Sequence, residues 1–235
     1  MTKPKAILFD LDDTIVADDA VYEKAWENVF KKPILQASEL GISKLRAAIK
    51  QAGDWYYSDP ERLRRARQNL YAARREVVSI ALSSLGIDNP KLARKIADSY
   101  STEKEKAIFV YPGAIETISH FKKDGIQLAL LTNGSSESQN KKIERFGLAP
   151  LFSYIFIEGE FGIGKPDERF FRHALEQLGV DPSEAWMIGD RLEHDIKPAQ
   201  KLGIYAIWVD WRGEGLPESS TVQPDRIIRK LLELL

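Results

Sequence analysis

Short apolar runs recur along the chain at 6–9, 126–131, 154–157, 186–188 and 205–209. Each is followed by small or acidic residues, and runs of this length fit strands buried on both faces of a parallel sheet. Between them lie amphipathic stretches with clear punctuation. One opens at Pro112-Gly113 and ends at Asp124-Gly125; others run over 135–147, 166–179, 195–203 and 224–235. Strand alternating with helix predicts an α/β core, a Rossmann-like doubly wound parallel sheet.

Residues 17–107 break this rhythm. No strand pattern appears there, only successive helices, with Pro33 interrupting the first and Gly53-Asp54 separating the second from the third. Ser58-Asp59-Pro60 has the order of a cap followed by proline in the first turn, and it opens the longest predicted helix. That helix carries Leu63, Ala66, Leu70, Ala73, Val77, Ile80 and Ser84-Leu85 at steps of three and four, one apolar stripe. The expected organisation is therefore a catalytic core made of 1–16 and 108–235, with an inserted all-helical cap domain over 17–107. Residues 211–221 read as loop.

Composition narrows the function classes. The 235 residues include 34 basic and 35 acidic side chains, a formal net charge of −1. That balance argues against a protein built to coat nucleic acid or an acidic membrane. There is no cysteine, which removes disulfides, thiolate metal sites and cysteine nucleophiles. The apolar run near Met1 is far too short for a signal peptide and no stretch of about 18 apolar residues occurs. The expectation is a cytoplasmic protein with no membrane partner.

Four places could carry chemistry. Ile7-Leu8-Phe9 ends in Asp10, with Asp12, Asp13 and Thr14 close behind. Acids at the carboxyl end of a parallel strand sit where such sheets bind ligands. Carboxylates this close also repel, and call for a divalent cation or a proton between them. Asp12 or Asp13 equally suits a helix cap. Leu130-Leu131 leads into Thr132-Asn133-Gly134-Ser135, either a cradle of donors for an oxyanion or ordinary turn and cap chemistry. Gly162-Ile163-Gly164 precedes Lys165, a cation for an anionic group or a solvated loop lysine. Gly159 to Lys165 also fits the spacing of a nucleotide-binding loop, but Pro166 stands where a magnesium-binding hydroxyl belongs, so that reading is rejected. Last, Met187-Ile188-Gly189 ends in Asp190, and Asp195 follows, either functional or only the N-cap of the next helix. An acid like Asp190 at the end of a buried strand needs a partner.

In order, Asp-x-Asp-x-Thr, Thr-Asn, Lys-Pro and Gly-Asp-x-x-x-x-Asp resemble the four motifs of the haloacid dehalogenase-like hydrolase superfamily, over nearly the whole chain. The resemblance implies a phosphatase with Asp10 as nucleophile and Asp12 as general acid and base. It also implies Thr132 and Asn133 as phosphate-binding groups and Lys165 as the cation that neutralises the intermediate. Mg2+ is then held by Asp10, by the backbone carbonyl of Asp12 and by Asp190, with Asp195 supporting it. One departure is Pro198-Ala199 where the family's fourth-motif helix usually has Gly-Ala; it touches no proposed ligand.

The implied reaction is hydrolysis of a small phosphorylated metabolite through an aspartyl phosphate. True haloacid dehalogenases of the superfamily normally lack an acid at the Asp12 position and use no magnesium, so Asp12, Asp190 and Asp195 favour phosphate chemistry. A phosphosugar mutase shares all four motifs. A phosphonate-cleaving relative would need a cap lysine, and nothing singles out Lys24, Lys31 or Lys32. In another class, a phospho-accepting signalling domain uses clustered Asp, Thr and Lys, but is about half as long and has no helical insertion. The arginines at 62, 64, 65, 67, 74 and 75 either grip an anionic substrate tail or form a solvated basic face with local ion pairs.

Overall fold

The computed structural model describes residues 3–32 and 41–235; the helix interruption expected at Pro33 lies outside them. The chain divides into two compact units, one of Met1–Asp19 with Phe109–Leu235 and one of Ala20–Ile108.

The first unit holds a six-stranded sheet. Its strands are β1 (Ala6–Phe9), β4 (Gln127–Thr132), β5 (Tyr154–Ile157), β6 (Ala185–Gly189), β7 (Tyr205–Val209) and β8 (Arg226–Ile228), in the spatial order β5-β4-β1-β6-β7-β8. Every neighbouring pair is parallel, with Phe9 opposite Leu130 on one side and Ile188 on the other. The sheet is α/β and doubly wound, as its apolar runs predict. β1 is central and wholly buried, which is why it carries no polar residue.

Successive side chains of β1 point to opposite faces. Ala6 and Leu8 join the cluster that includes Phe170, Phe171, Ala174 and Leu178 of α9 (Glu168–Leu178). Ile7 pairs with Trp186, whose ring meets Phe121 of α6 (Ala114–Lys123) edge to face at 6.4 Å. The two faces of the sheet are therefore each covered by a helix. Burial of each large apolar side chain contributes roughly 1.5–3 kcal/mol.

Two features depart from the sequence reading here. The stretch 224–235, expected as a helix, forms β8 and then a short 3-10 turn at Leu231–Leu234. β7 would otherwise be an edge with unpaired backbone groups, and β8 satisfies them through Ile207–Val209 while burying Ile228. A second, two-residue antiparallel pair joins β2 (Val16–Ala17) to β3 (Phe109–Val110), too short to leave an alternation pattern.

The second unit is helical throughout its described elements: α1 (Tyr22–Phe30), α2 (Ile42–Tyr57), α3 (Pro60–Gln68), α4 (Leu70–Ser84) and α5 (Pro90–Ala107), preceded by a 3-10 turn that ends at Val21. Gly53-Asp54 does not break α2, because packing holds the helix against a glycine cost of about 1 kcal/mol. Instead the predicted longest helix divides at Asn69. Its backbone leaves the helical region (φ −144°, ψ 83°) and its side chain accepts the Ala72 N–H as the cap of α4. The apolar stripe passes through the break, so periodicity conceals it.

The unit's core includes Trp26 stacked on Tyr100 with ring centres 4.3 Å apart. Several of these arginines make contacts within this unit. Arg62 lies 3.8 Å over the Trp55 ring and donates to the Trp55 and Tyr56 carbonyls; Arg64 pairs with Glu61 and Arg75 with Asp98. These contacts match the local ion-pair alternative. Among the described residues no helix is long and apolar enough to cross a membrane.

Candidate active site

Strand connections diverge to either side of β1, and a parallel sheet opens a crevice beyond the carboxyl ends of the strands at such a point. Asp10 follows the last residue of β1, Thr132 is the last residue of β4, and Asp190 follows the last residue of β6. The sheet therefore delivers three of the predicted groups to one rim. Asp10 is fixed by donating its N–H to the Ile188 carbonyl.

Lys165 reaches this rim from the loop before α9. Its Nζ lies 2.5 Å from Asp10 Oδ1 and 2.6 Å from Asp195 Oδ1, and all three side chains are buried. The alternative of a solvated loop lysine does not survive. Asn133 holds the lysine's backbone from both sides, donating Nδ2–H to the Lys165 carbonyl at 2.7 Å and accepting the Lys165 N–H at 2.8 Å. Gly164 allows that approach, since a Cβ there would stand 2.6 Å from Asn133 Oδ1. Glu158, at the start of the short helix α8 (Glu158–Phe161), accepts the Gly134 N–H.

Asp195 is not the N-cap of a helix. It lies within a turn of π-helix, Leu192–Ile196, that runs into α10 (Lys197–Lys201). Its Oδ2 accepts the Arg191 N–H at 2.9 Å, while its Oδ1 faces Lys165 with no hydrogen bond of good geometry. Gly189 makes room for it: a Cβ there would sit 2.5 Å from the Asp195 carboxylate. Asp190 has its carbonyl tied to Trp208 Nε1–H at 2.7 Å.

Oxygen atoms of Asp10, Asp190 and Asp195 all lie within 4.8 Å of one another. Three carboxylates against one ammonium leave the cluster strongly negative, and burial makes that costly. Burial, then the Asp195 and Asp12 carboxylates, push the Asp10 carboxyl up to about 7 despite Lys165; burial and the nearby Asp10 and Asp195 charges also raise Asp190 well above the ordinary carboxylate range. For Lys165, burial alone would lower its affinity for a proton, but Asp10 and Asp195 outweigh this and raise it. A divalent cation would bring the three acids and the lysine to neutrality. The donor set is all hard oxygen, which suits Mg2+ and not a thiophilic metal, and the under-satisfied Asp195 oxygen is consistent with such a guest.

Asp12 is turned to different partners. Its Oδ2 accepts from Gln139 Nε2 at 2.9 Å and its Oδ1 from Lys142 Nζ at 2.6 Å. Gln139 also donates to Thr132 Oγ1 at 2.5 Å, so it links the first and second motifs. Gln139 and Lys142 belong to α7 (Ser136–Arg145), and neither stood out in the sequence. The only available signal was a polar pair three residues apart on a helix following Thr132. Asp13, considered for capping, adopts φ 59° and accepts the Asp18 and Asp19 N–H groups and the Tyr111 hydroxyl.

A family model described as haloacid dehalogenase-like hydrolase matches residues 4–203. Phosphoserine phosphatase from Thermus thermophilus is 34% identical, covering 98% of this chain and 97% of that protein. Glyceraldehyde 3-phosphate phosphatase from Methanocaldococcus jannaschii is 29% identical over 98% of this chain and 95% of its own length. Among solved structures, the HAD-hydrolase YfnB from Bacillus subtilis, crystallised with magnesium bound, superposes with a TM-score of 0.75 at 25% identity, covering 99% of this chain and 97% of that one.

Proposed function

The chain belongs to the haloacid dehalogenase-like hydrolases, and we propose that this phosphatase uses Mg2+ and hydrolyses a small phosphorylated metabolite through an aspartyl phosphate on Asp10. The single observation that carries the reading is the cluster in which buried Asp10, Lys165 and Asp195 meet half-buried Asp190 beyond the strand ends.

A phosphate monoester dianion is repelled by a bare carboxylate. Bound Mg2+ would supply the charge that offsets this repulsion and draws the phosphoryl group toward Asp10; Asp10, the Asp12 carbonyl and Asp190 would hold it, with Asp195 in support. Lys165 holds the Asp10 carboxylate in place and faces the developing negative charge. Thr132 and the remaining amide hydrogen of Asn133 serve the phosphoryl oxygens. Asp10 attacks phosphorus in line, and Asp12 gives its proton to the leaving oxygen. Water then attacks the phosphorus of the phosphoaspartate and gives a proton to Asp12, which restores Asp10. Asp12 distinguishes this chemistry from carbon–halogen cleavage, in which no leaving group needs its proton.

Phosphate release from p-nitrophenyl phosphate should require Mg2+, stop with EDTA and return when the metal is restored. Phosphoserine and glyceraldehyde 3-phosphate head the panel of candidate substrates, since similar phosphatases are named for them. Absence of metal-dependent turnover on any monoester would overturn the reading.

A further inference from the structure

Two side chains outside the four motifs hold the Asp12 carboxylate. Gln139 and Lys142 project from one face of α7, three residues apart. Gln139 is 2% exposed, and its amide spans Asp12 Oδ2 and Thr132 Oγ1. The Lys142 side chain is 11% exposed and pairs with Asp12 Oδ1 and, at 2.9 Å, with Asp18 Oδ1. An ammonium and an amide NH2 can only donate, so this cradle matches a carboxylate whose two oxygens both accept. Each oxygen keeps a second lone pair for a water proton.

We propose that Gln139 and Lys142 are positioning residues that orient Asp12 as the proton acceptor for breakdown of the aspartyl phosphate; this rests on the role given to Asp12 above. In that half-reaction the water oxygen bonds to phosphorus and the phosphorus–oxygen bond to Asp10 breaks. Its electron pair returns to the Asp10 carboxylate, and the water proton passes to Asp12. The opposite half-reaction places a smaller demand on the clamp when the leaving group is nitrophenolate, which departs readily without a proton.

The test is rapid mixing of p-nitrophenyl phosphate and Mg2+ with the full chain carrying Lys142→Met. We expect kcat to fall on the order of tenfold, a fraction of a general-base contribution. kcat/KM, which reads only the attack by Asp10, stays close to wild type. Nitrophenolate should appear in a burst, with phosphorylated protein accumulating by mass spectrometry, and Lys142→Arg should recover most of the turnover. Adding Lys142→Met to Asp12→Asn should slow turnover no further. Gln139→Met provides the same readout if Lys142→Met folds poorly.

Equal losses in kcat and kcat/KM without a burst, or no loss at all, would overturn the clamp while leaving the phosphatase reading intact. Wild-type turnover by Asp12→Asn would instead sink the role of Asp12 itself.

Discussion

Lys165 Nζ and Asp10 Oδ1 lie 2.5 Å apart although 155 residues separate them in the chain. The pair is buried and shared with Asp195, so the ion pair is also a connection between a loop before α9, the end of β1 and the turn after β6. Breaking a buried pair by deleting one partner is more damaging than its net contribution suggests, because the remaining charge stays buried.

Lys165→Met tests that cost. Without metal the variant should lose about 3–5 kcal/mol of stability at neutral pH, measured by urea denaturation. Mg2+ should recover part of the loss by neutralising Asp10 and Asp195, while activity stays absent. A variant as stable as wild type would show that the pair contributes no such coupling.

Gly189→Ala probes the close approach of Asp195 to β6. The added Cβ would stand 2.5 Å from the Asp195 carboxylate, and the resulting displacement should cost about 1–3 kcal/mol. Thermal melting should show the loss, and the concentration of Mg2+ needed for half-maximal activity should rise. An unchanged metal requirement would separate Asp195 from the metal.

Mg2+ binding should itself be visible as stabilisation. A metal that binds only the folded chain adds about 2.7 kcal/mol at a hundredfold excess over its dissociation constant. The melting temperature should climb with Mg2+ in the wild type and respond much less in Asp190→Asn. Equal responses in the two proteins would place the ion elsewhere.

In the helical unit, Asn69→Ala removes the cap of α4 and should cost about 1 kcal/mol, with Asn69→Gly costing only a few tenths. Differential scanning calorimetry on both variants checks the order. Equal melting for wild type and Asn69→Ala would mean that the helix start does not depend on this cap.

The parts legible in the sequence share one physical origin. Asp10, Thr132 and Asp190 stand at the ends of apolar runs, and a buried strand can end in such groups only where the sheet opens to a site. Lys165 could be placed only by order along the chain, since nothing local distinguishes its ammonium from a solvated one. Gln139 and Lys142 were not legible at all. On an amphipathic helix, polar residues three apart read as a solvent face, and only the parallel placement of β4 beside β1 turns that face toward Asp12. β8 escaped for a similar reason: three residues beside Pro224 have no period of their own, and the open edge of β7 decides their conformation. The helix break at Asn69 was hidden because an apolar stripe can continue across a cap.

The central claim is that Asp10 is the nucleophile that takes the phosphoryl group. Acid quenching during turnover of phosphate-labelled p-nitrophenyl phosphate with Mg2+, followed by peptide mapping, tests it directly. The label should appear on the peptide containing Asp10, vanish in Asp10→Asn together with phosphate release, and leave that variant's circular dichroism unchanged. Label on another residue, or full phosphate release by Asp10→Asn, would contradict the account.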